Sequence, residues 1–337
     1  MTNLRNHLLT SPAVSEYAFK MVSAKSKDGV APDIKAWIET SMAVVLRSGP
    51  KMYKVYAIPK KNGGKRIIAH PSRMLKAFQK GLVEFLTPRL PVHRAAYAYK
   101  KDLSIRENAQ QHVGNRYFLK MDLANFFNSI DIELFEKQLD KHQIQITKTD
   151  RKFIHRCVFW SPTKTSTGRL IMSVGAPSSP LISNFIMHSF DDTIISVCEP
   201  LGITYTRYAD DLFFSTNYKD VSFKVPDIVK YILVTEYGNK LTVNDIKTSF
   251  SSKAHNRHIT GITITNNETL SIGRQRKRVI SSMIHKYSEQ KLDESDLAKL
   301  QGLLAFVGHI EPQFLVSMKK KYTRLIVDNI ITGRWRK

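Results

Sequence analysis

The four residues Tyr208-Ala209-Asp210-Asp211 constrain this chain more than any other stretch. They lie between two apolar, β-prone flanks, Ile203 to Arg207 before and Leu212 to Ser215 after. Flanks of that kind joined by so short a segment predict a hairpin that carries two carboxylates at its tip. Adjacent aspartates repel each other and are costly to remove from water, so a divalent cation is the economical reason for placing them in a strand-forming context. An Asp-Asp pair in a turn is ordinarily just a solvated turn. A third carboxylate lifts the pair above that reading: Asp122 follows the strand-like run Tyr117 to Met121 and precedes Leu123-Ala124-Asn125-Phe126-Phe127.

One acid at a strand end and two at a hairpin tip suffice to hold two magnesium ions against a triphosphate, roughly 3.5–4 Å apart. Composition points the same way. Among 337 residues, 52 Lys+Arg against 29 Asp+Glu give a formal charge of +23, more than solubility requires, and nucleic acid is the natural polyanionic partner. Three carboxylates on so basic a chain suggest a nucleotide polymerase. The hydrophobic fraction of 42% excludes a disordered basic tail and allows two or three subdomains. Cys157 and Cys198 give neither zinc spacing nor a disulfide framework, which fits a reduced, cytoplasmic setting. The N-terminus lacks the apolar core of a signal peptide, and no stretch approaches the ~20 apolar residues of a membrane span.

Basic charge is concentrated in two places. From Lys51 to Lys80 there are nine Lys/Arg and no acid, and Tyr53 to Pro59 and Lys65 to Ala69 read as two strands joined by Lys60-Lys61-Asn62-Gly63-Gly64. Such a ribbon is either a solvated surface or a phosphate clamp, with Lys65 and Arg66 as the candidates for a triphosphate or a template backbone. The second place is Ser271 to Lys337. There Leu297, Leu300, Leu303, Leu304 and Val307 keep helical spacing, as do Phe314, Met318, Tyr322 and Leu325 after Pro312. These stripes predict the core faces of a small helical bundle. Arg274, Arg276, Lys277 and Arg278, with Lys319, Lys320 and Lys321, would line its outside, where a duplex backbone could lie. Between the two, Ser173 to Phe185 is a Gly/Pro loop entering an apolar helix. Gly175 there permits close backbone approach, and the serines are candidate caps.

Taken in order, from about Tyr53 to about Phe314, these pieces resemble the reverse transcriptases. The resemblance implies that Asp122, Asp210 and Asp211 are the catalytic, metal-binding aspartates and that Leu123 lends a backbone carbonyl to a metal. It implies two Mg2+ ions per site, with Mn2+ as a substitute. Phe127 matches the aromatic gate that blocks a ribose 2′-hydroxyl, although a core Phe beside Phe126 is the plainer reading of the residue alone. Lys65 and Arg66 match the basic fingers residues, and Ser173 to Asn184, with Gly175, the loop and helix under the nascent base pair. Lys247 matches a lysine near the leaving phosphate, where it could act as a general acid; a surface lysine is the alternative. In one departure, Val174 stands where the family usually has Gln, which removes a side-chain contact to the nucleotide sugar.

Two further stretches are similar to retron signatures: Asn108-Ala109-Gln110-Gln111-His112 to an Asn-Ala-x-x-His motif and Ile259-Thr260-Gly261 to a Val-Thr-Gly motif. Asn108 and His112 become candidate RNA contacts on that ground, although a helix cap or a satisfied core group is the commoner role for either residue. The retron resemblance implies copying of part of a structured non-coding RNA from the 2′-hydroxyl of an internal guanosine. The product would be a 2′,5′-branched RNA-DNA. It further implies deoxynucleoside triphosphates as substrates, a cellular RNase H acting in trans, an effector protein in anti-phage defence, and no membrane. A group II intron-like or diversity-generating reverse transcriptase is the alternative enzyme; the chain shows neither room for an RNase H domain nor an endonuclease-type Cys/His cluster. A non-catalytic RNA-binding scaffold for an effector is the alternative from another class. The expected fold is α+β, a right-hand polymerase with a palm of antiparallel sheet backed by helices. Residues 1–115 would form the N-terminal region and fingers, 116–148 and 173–265 the palm, 149–172 a return of the fingers, and 266–337 a helical thumb that binds RNA.

Overall fold

The computed structural model describes residues 3–24, 33–59, 63–164 and 168–333. Lys60, Lys61 and Asn62 of the basic loop, and 165–167 of the fingers return, lie outside the described residues. Helices α1 (Leu4–Thr10), α2 (Pro12–Ser23) and α3 (Ile34–Ser48) open the chain. The Asn3 and Asp33 side chains cap α1 and α3, and Pro12 occupies the first turn of α2, where its missing N–H costs nothing. The basic ribbon follows as β1 (Tyr53–Pro59) and β2 (Lys65–Pro71), paired antiparallel from Tyr53 opposite Pro71 to Pro59 opposite Lys65. Helix α4 (Arg73–Leu86) then packs against α1 and α2. The short α5 (Ile105–Gln110) starts with a reciprocal capping box between Ser104 and Glu107.

The palm is a four-stranded antiparallel sheet in the order β6-β7-β3-β8, formed by β3 (Tyr117–Asp122), β6 (Ile203–Tyr208), β7 (Asp211–Thr216) and β8 (Ser249–Ser252). Between β3 and β6 run α6 (Phe126–Ser129), α7 (Ile132–Lys141), α8 (Lys148–Val158), the two-residue pair β4 (Phe159–Trp160) and β5 (Ile171–Met172), α9 (Ser179–Ile186) and α10 (His188–Cys198). Helix α11 (Val225–Tyr237) separates β7 from β8 and packs on α10. A three-stranded sheet of β9 (Arg257–Ile259), β10 (Ile262–Ile264) and β11 (Leu270–Ser271) leads into α12 (Arg274–Ser288), α13 (Glu294–Ile310), α14 (Pro312–Tyr322) and α15 (Arg324–Thr332).

Strand alternation divides the palm between two cores. Leu119 and Met121 of β3, Leu212 and Phe214 of β7, and Ile203 and Tyr205 of β6 join the larger core, with α1 to α4 and α7 to α11. Phe118 and Phe213 point to the other face, into a second core built with α5, β9 to β11 and the C-terminal helices. A one-residue slip of β3 against β7 would exchange these faces, so the register that positions the aspartates is held by burial on both sides. The right-hand α+β architecture expected from the sequence is thus realised, and Leu297, Leu300, Leu304 and Val307 are buried as their spacing predicts. The second stripe is interrupted: Thr323 adopts φ +72°, α14 stops at Tyr322, and Leu325 falls on a new helix and stays exposed.

Candidate active site and nucleic-acid interface

Asp122 ends β3 and Asp211 begins β7, and the antiparallel register sets them directly opposite each other. Tyr208 pairs with Asp211, leaving Ala209 and Asp210 as the whole turn, with Ala209 at φ +57°. The main chain ties the three acids together. Leu123 donates its N–H to the Asp210 carbonyl at 3.0 Å, and the Asp122 carbonyl accepts from Asn244 N–H at 2.8 Å. Ala124 N–H in turn reaches the Thr242 carbonyl at 2.8 Å. The segment after β3 is therefore clamped between the acidic turn and residues 242–244.

Two lysines balance the acids. Lys247, in a short turn after that clamp, puts its ammonium 2.9 and 3.0 Å from the two Asp122 oxygens. Lys120, two residues before Asp122 on the same strand face, lies 2.8 Å from Asp211 Oδ1 and 5.4 Å from the centre of the Phe213 ring. Burial, and then the charge of Asp211, push the Asp210 carboxyl above its ordinary pKa; burial also raises Asp211, against the pull of Lys120. Carboxyls raised in this way mark a site short of positive charge, and an all-oxygen acidic donor set suits a hard divalent cation. Among the described residues no three such ligands converge as a finished metal shell, with Asp122 and Asp211 each engaged by an ammonium. The residues fit a metal, and Asp122, Asp210 and Asp211 would hold it.

Beside the acids a cavity of about 440 Å³ is lined by Lys76, Lys80, Tyr99, Phe127 and residues 174–177, 179 and 180. Phe127 packs edge-on against Phe126 with ring centres 5.3 Å apart, so Phe126 is the buried partner and Phe127 keeps a face on the cavity. Gly175 adopts φ +96°, a region costly for any residue with a Cβ, and that conformation rather than lack of space requires glycine. Its nearest neighbour outside the loop is Ile68 of β2. Arg66 shares the strand face of Ile68 and so belongs to the cavity side, whereas Lys65 projects from the opposite face. The expected serine cap is absent: Ser178 stands at the N-cap of α9 without a side-chain capping bond, and Ser179 Oγ donates to the Ser173 carbonyl at 2.7 Å. Tyr99, whose phenol is raised first by burial and then by the Asp210 charge, also lines the cavity.

A second groove, about 740 Å³, lies where β9 and β10 meet α12 and includes His258, Gly261, Arg274, Arg276 and Lys277. Thr260 and Gly261, at φ +46° and +85°, form the two-residue turn of that hairpin, which explains Gly261 on backbone grounds but not Thr260, a β-branched residue in a region that disfavours it. Arg276 donates to the Gly261 carbonyl at 2.6 Å and stacks over Phe306. Lys277 pairs with Glu311, Lys319 with Asp328, and Lys321 donates to Ser281 Oγ. Arg274, Arg278 and Lys320 are exposed, and so are Arg276 and Lys321 despite their contacts.

The structure corrects the expectation for Asn108 and His112, which are fully buried and cannot touch RNA in this conformation. They form a polar chain under the acidic hairpin. Asn115 Nδ2 donates to Ser215 Oγ at 2.7 Å, Ser215 bonds His112 Nδ1 at 2.7 Å, His112 Nε2 bonds Thr206 Oγ1 at 2.7 Å, and Thr206 donates to Asn108 Oδ1 at 2.6 Å. That order requires a neutral imidazole protonated on Nε2. Ser215 lies on β7 and Thr206 on β6, so one histidine bridges both strands that carry Asp210 and Asp211. Sequence reasoning missed Lys120, although its place two residues before Asp122 on a strand was a usable signal. Lys76, Lys80 and Tyr99 gave no comparable local sign.

Residues 58–264 match the family model described as reverse transcriptase (RNA-dependent DNA polymerase). The chain is 46% identical over 288 residues to the retron Ec83 reverse transcriptase of Escherichia coli, covering 85% of this chain and 92% of that protein. It is 33% identical to the retron Ec73 reverse transcriptase of Escherichia coli, over 82% and 89% of the two chains. The solved telomerase from Candida albicans aligns with 84% of this chain and 61% of its own, at TM-score 0.43 and 14% identity.

The buried His112 makes stability depend on pH. Burial lowers its pKa from 6.5 to about 3 in the folded state. Between those values the unfolded chain binds a proton that the folded chain refuses, so stability falls as pH drops below the unfolded value. Going from pH 7 to pH 5 is expected to cost about 2 kcal/mol through this group. Urea unfolding at both pH values should show a smaller acid loss in His112→Gln than in the parent, and equal losses would contradict the assignment.

Proposed function

We propose, for a chain that belongs to the reverse transcriptase family and is an RNA-directed DNA polymerase of a retron, that it copies part of its own structured RNA from the 2′-hydroxyl of an internal guanosine, leaving a 2′,5′-branched RNA-DNA. The observation that carries the catalytic part is the register that sets Asp122 against Asp211, with Asp210 on the shared turn beside the cavity of Phe127 and Gly175. Two bound Mg2+ ions, or Mn2+ in their place, would supply Lewis-acid stabilisation of the attacking hydroxyl and the leaving pyrophosphate. Leu123, fixed to the Asp210 carbonyl through its N–H, stands where it would add a backbone carbonyl to that site.

The protein's own groups bind and orient. Arg66, with Lys76 and Lys80 across the cavity, neutralises triphosphate or template phosphate, and Lys65 serves the outer face of the ribbon. The Phe127 ring occupies the space that a ribose 2′-hydroxyl would need, so deoxynucleoside triphosphates are the substrates. Val174 in place of Gln leaves the sugar without an amide contact on that wall. Lys247 carries a proton close to the acids and can hand it to the departing pyrophosphate. Arg274, Arg278 and Lys320, free on the thumb, with Arg276, Lys277, Lys319 and Lys321 behind them, grip an RNA stem through shape and phosphates. Likeness to retron enzymes supports the remainder of the proposal: a cytoplasmic setting, removal of copied RNA by a cellular RNase H, and a lasting partnership with an effector protein in phage defence.

Two experiments test this. Protein purified from cells carrying its native locus should bring down DNA joined to RNA by a linkage that debranching enzyme cuts. An Asp210→Asn, Asp211→Asn variant should bring down RNA alone. Recovery of RNA only with the parent, while a supplied primer is extended, would retain the polymerase and remove the branched product. The gate assignment predicts that Phe127→Ala incorporates ribonucleotides at least about tenfold better relative to deoxynucleotides. An unchanged ratio in single-nucleotide extension would return Phe127 to the core.

A further inference from the structure

Arg207 lies two residues before the Ala209-Asp210 turn and is fully buried, as is Asp191 on α10. Its Nε donates to both Asp191 oxygens at 2.8 and 3.1 Å, and Nη2 donates to Asp191 Oδ2 at 2.6 Å. Nη1 points the other way, to Asn184 Oδ1 at 3.0 Å and to the carbonyl of Ala209 at 3.2 Å. Each orienting partner is itself held. Tyr205 donates its hydroxyl to Asp191 Oδ1 at 2.8 Å, and Asn184 Nδ2 reaches the Ala98 carbonyl at 2.9 Å. The main chain of Arg207 is pinned by Ala95 and Tyr97, each at 2.8 Å.

Net stability does not account for this arrangement. Desolvating a guanidinium and a carboxylate costs about as much as their attraction returns, and well-packed apolar residues commonly do as well or better. What an apolar pair lacks is a directed donor on the turn. Ala209 sits at φ +57°, a conformation that is costly for a residue with a Cβ and persists only where surrounding contacts impose it. Nη1 of Arg207 supplies such a contact, on the peptide that joins Ala209 to Asp210.

We infer that Arg207 is a positioning residue for the catalytic turn. Asp191 and Asn184 aim its Nη1 at the Ala209 carbonyl, and that bond sets the direction in which Asp210 presents its carboxylate. A lysine at 207 would keep a charge for Asp191 but, as a single-point ammonium, could not also span to Asn184 and Ala209. The inference rests on the polymerase reading above for its activity measurement and on metal binding for its independent one.

The test compares the parent, Arg207→Lys, and the apolar pair Asp191→Leu with Arg207→Met, each by thermal melting, steady-state primer extension and direct Mn2+ binding followed by water-proton relaxation. The expected result is that at least one of the two variants melts within a few degrees of the parent. That variant should keep its KM for deoxynucleotide, lose at least about tenfold in kcat, and bind Mn2+ at least about tenfold more weakly. Parent-like Mn2+ binding and kcat in a folded variant would overturn the inference, and so would a kcat and a Mn2+ affinity that fall, in both variants, only as far as the folded fraction falls. If the parent binds Mn2+ but extends no primer, the polymerase reading fails and the Mn2+ comparison still decides the positioning role.

Discussion

Three carboxylates within one strand register of each other, Asp122 buried and Asp210 and Asp211 half-buried, are the constraint on which the rest of this molecule depends. Left alone, they would protonate or drive the hairpin apart. Lys120 and Lys247 answer that repulsion from two directions, one along the same face of β3 and one from the turn after α11. The main-chain bonds from Leu123 to Asp210 and from Asn244 to Asp122 keep the acids from relaxing away from each other. A site arranged in this way carries its own provisional counter-ions, and its acids remain raised where burial exceeds what the ammonium groups return.

The hairpin that bears two of the acids is fastened on both faces by buried polar groups of opposite kind. On the side of α9 and α10, a charged network reaches the turn itself through Arg207. Toward α5, a neutral chain through His112 joins the hydroxyls of Thr206 and Ser215 and so locks β6 against β7. The difference follows from what each must do. Holding two strands in register requires only satisfied hydrogen bonds, and a neutral imidazole gives one donor and one acceptor. Holding a left-handed turn residue requires a donor with fixed direction, which a guanidinium oriented by a carboxylate provides.

The aspartates were legible because their signal is local: strand-forming flanks, a two-residue turn and an acid at a strand end need no tertiary information. The right-hand fold was legible through the order of such signals along the chain. Asn108 and His112 were visible as a motif, but the motif pointed to RNA contacts where the commoner role, a satisfied core group, is the one the fold gives them. Helix α5 spans only Ile105–Gln110, too short for periodicity to tell an inward residue from an outward one. Asp191 and Arg207 were silent for a different reason. A buried ion pair across a helix and a strand has no spacing rule, and either residue alone resembles a surface charge. Leu325 shows the converse failure, where a helical period continued on paper through Thr323, which no glycine or proline marks as a break.

The same division separates useful charge from counted charge. The C-terminal helices offer a run of cations, but Arg276, Lys277, Lys319 and Lys321 already have partners within the chain, on Gly261, Glu311, Asp328 and Ser281. Of these, Lys277 and Lys319 are in ion pairs, on Glu311 and Asp328; exchanging either pair for phosphate frees an acid next to the polyanion, so the gain is smaller than for a cation with no prior partner. Arg276 is different in kind, because its stacking on Phe306 and its bond to the turn of β9 and β10 shape the groove floor. The net charge of +23 therefore overstates the cations that are unengaged: in this region the fold uses several of them to build its own surface, while Arg274, Arg278 and Lys320 are among those left exposed.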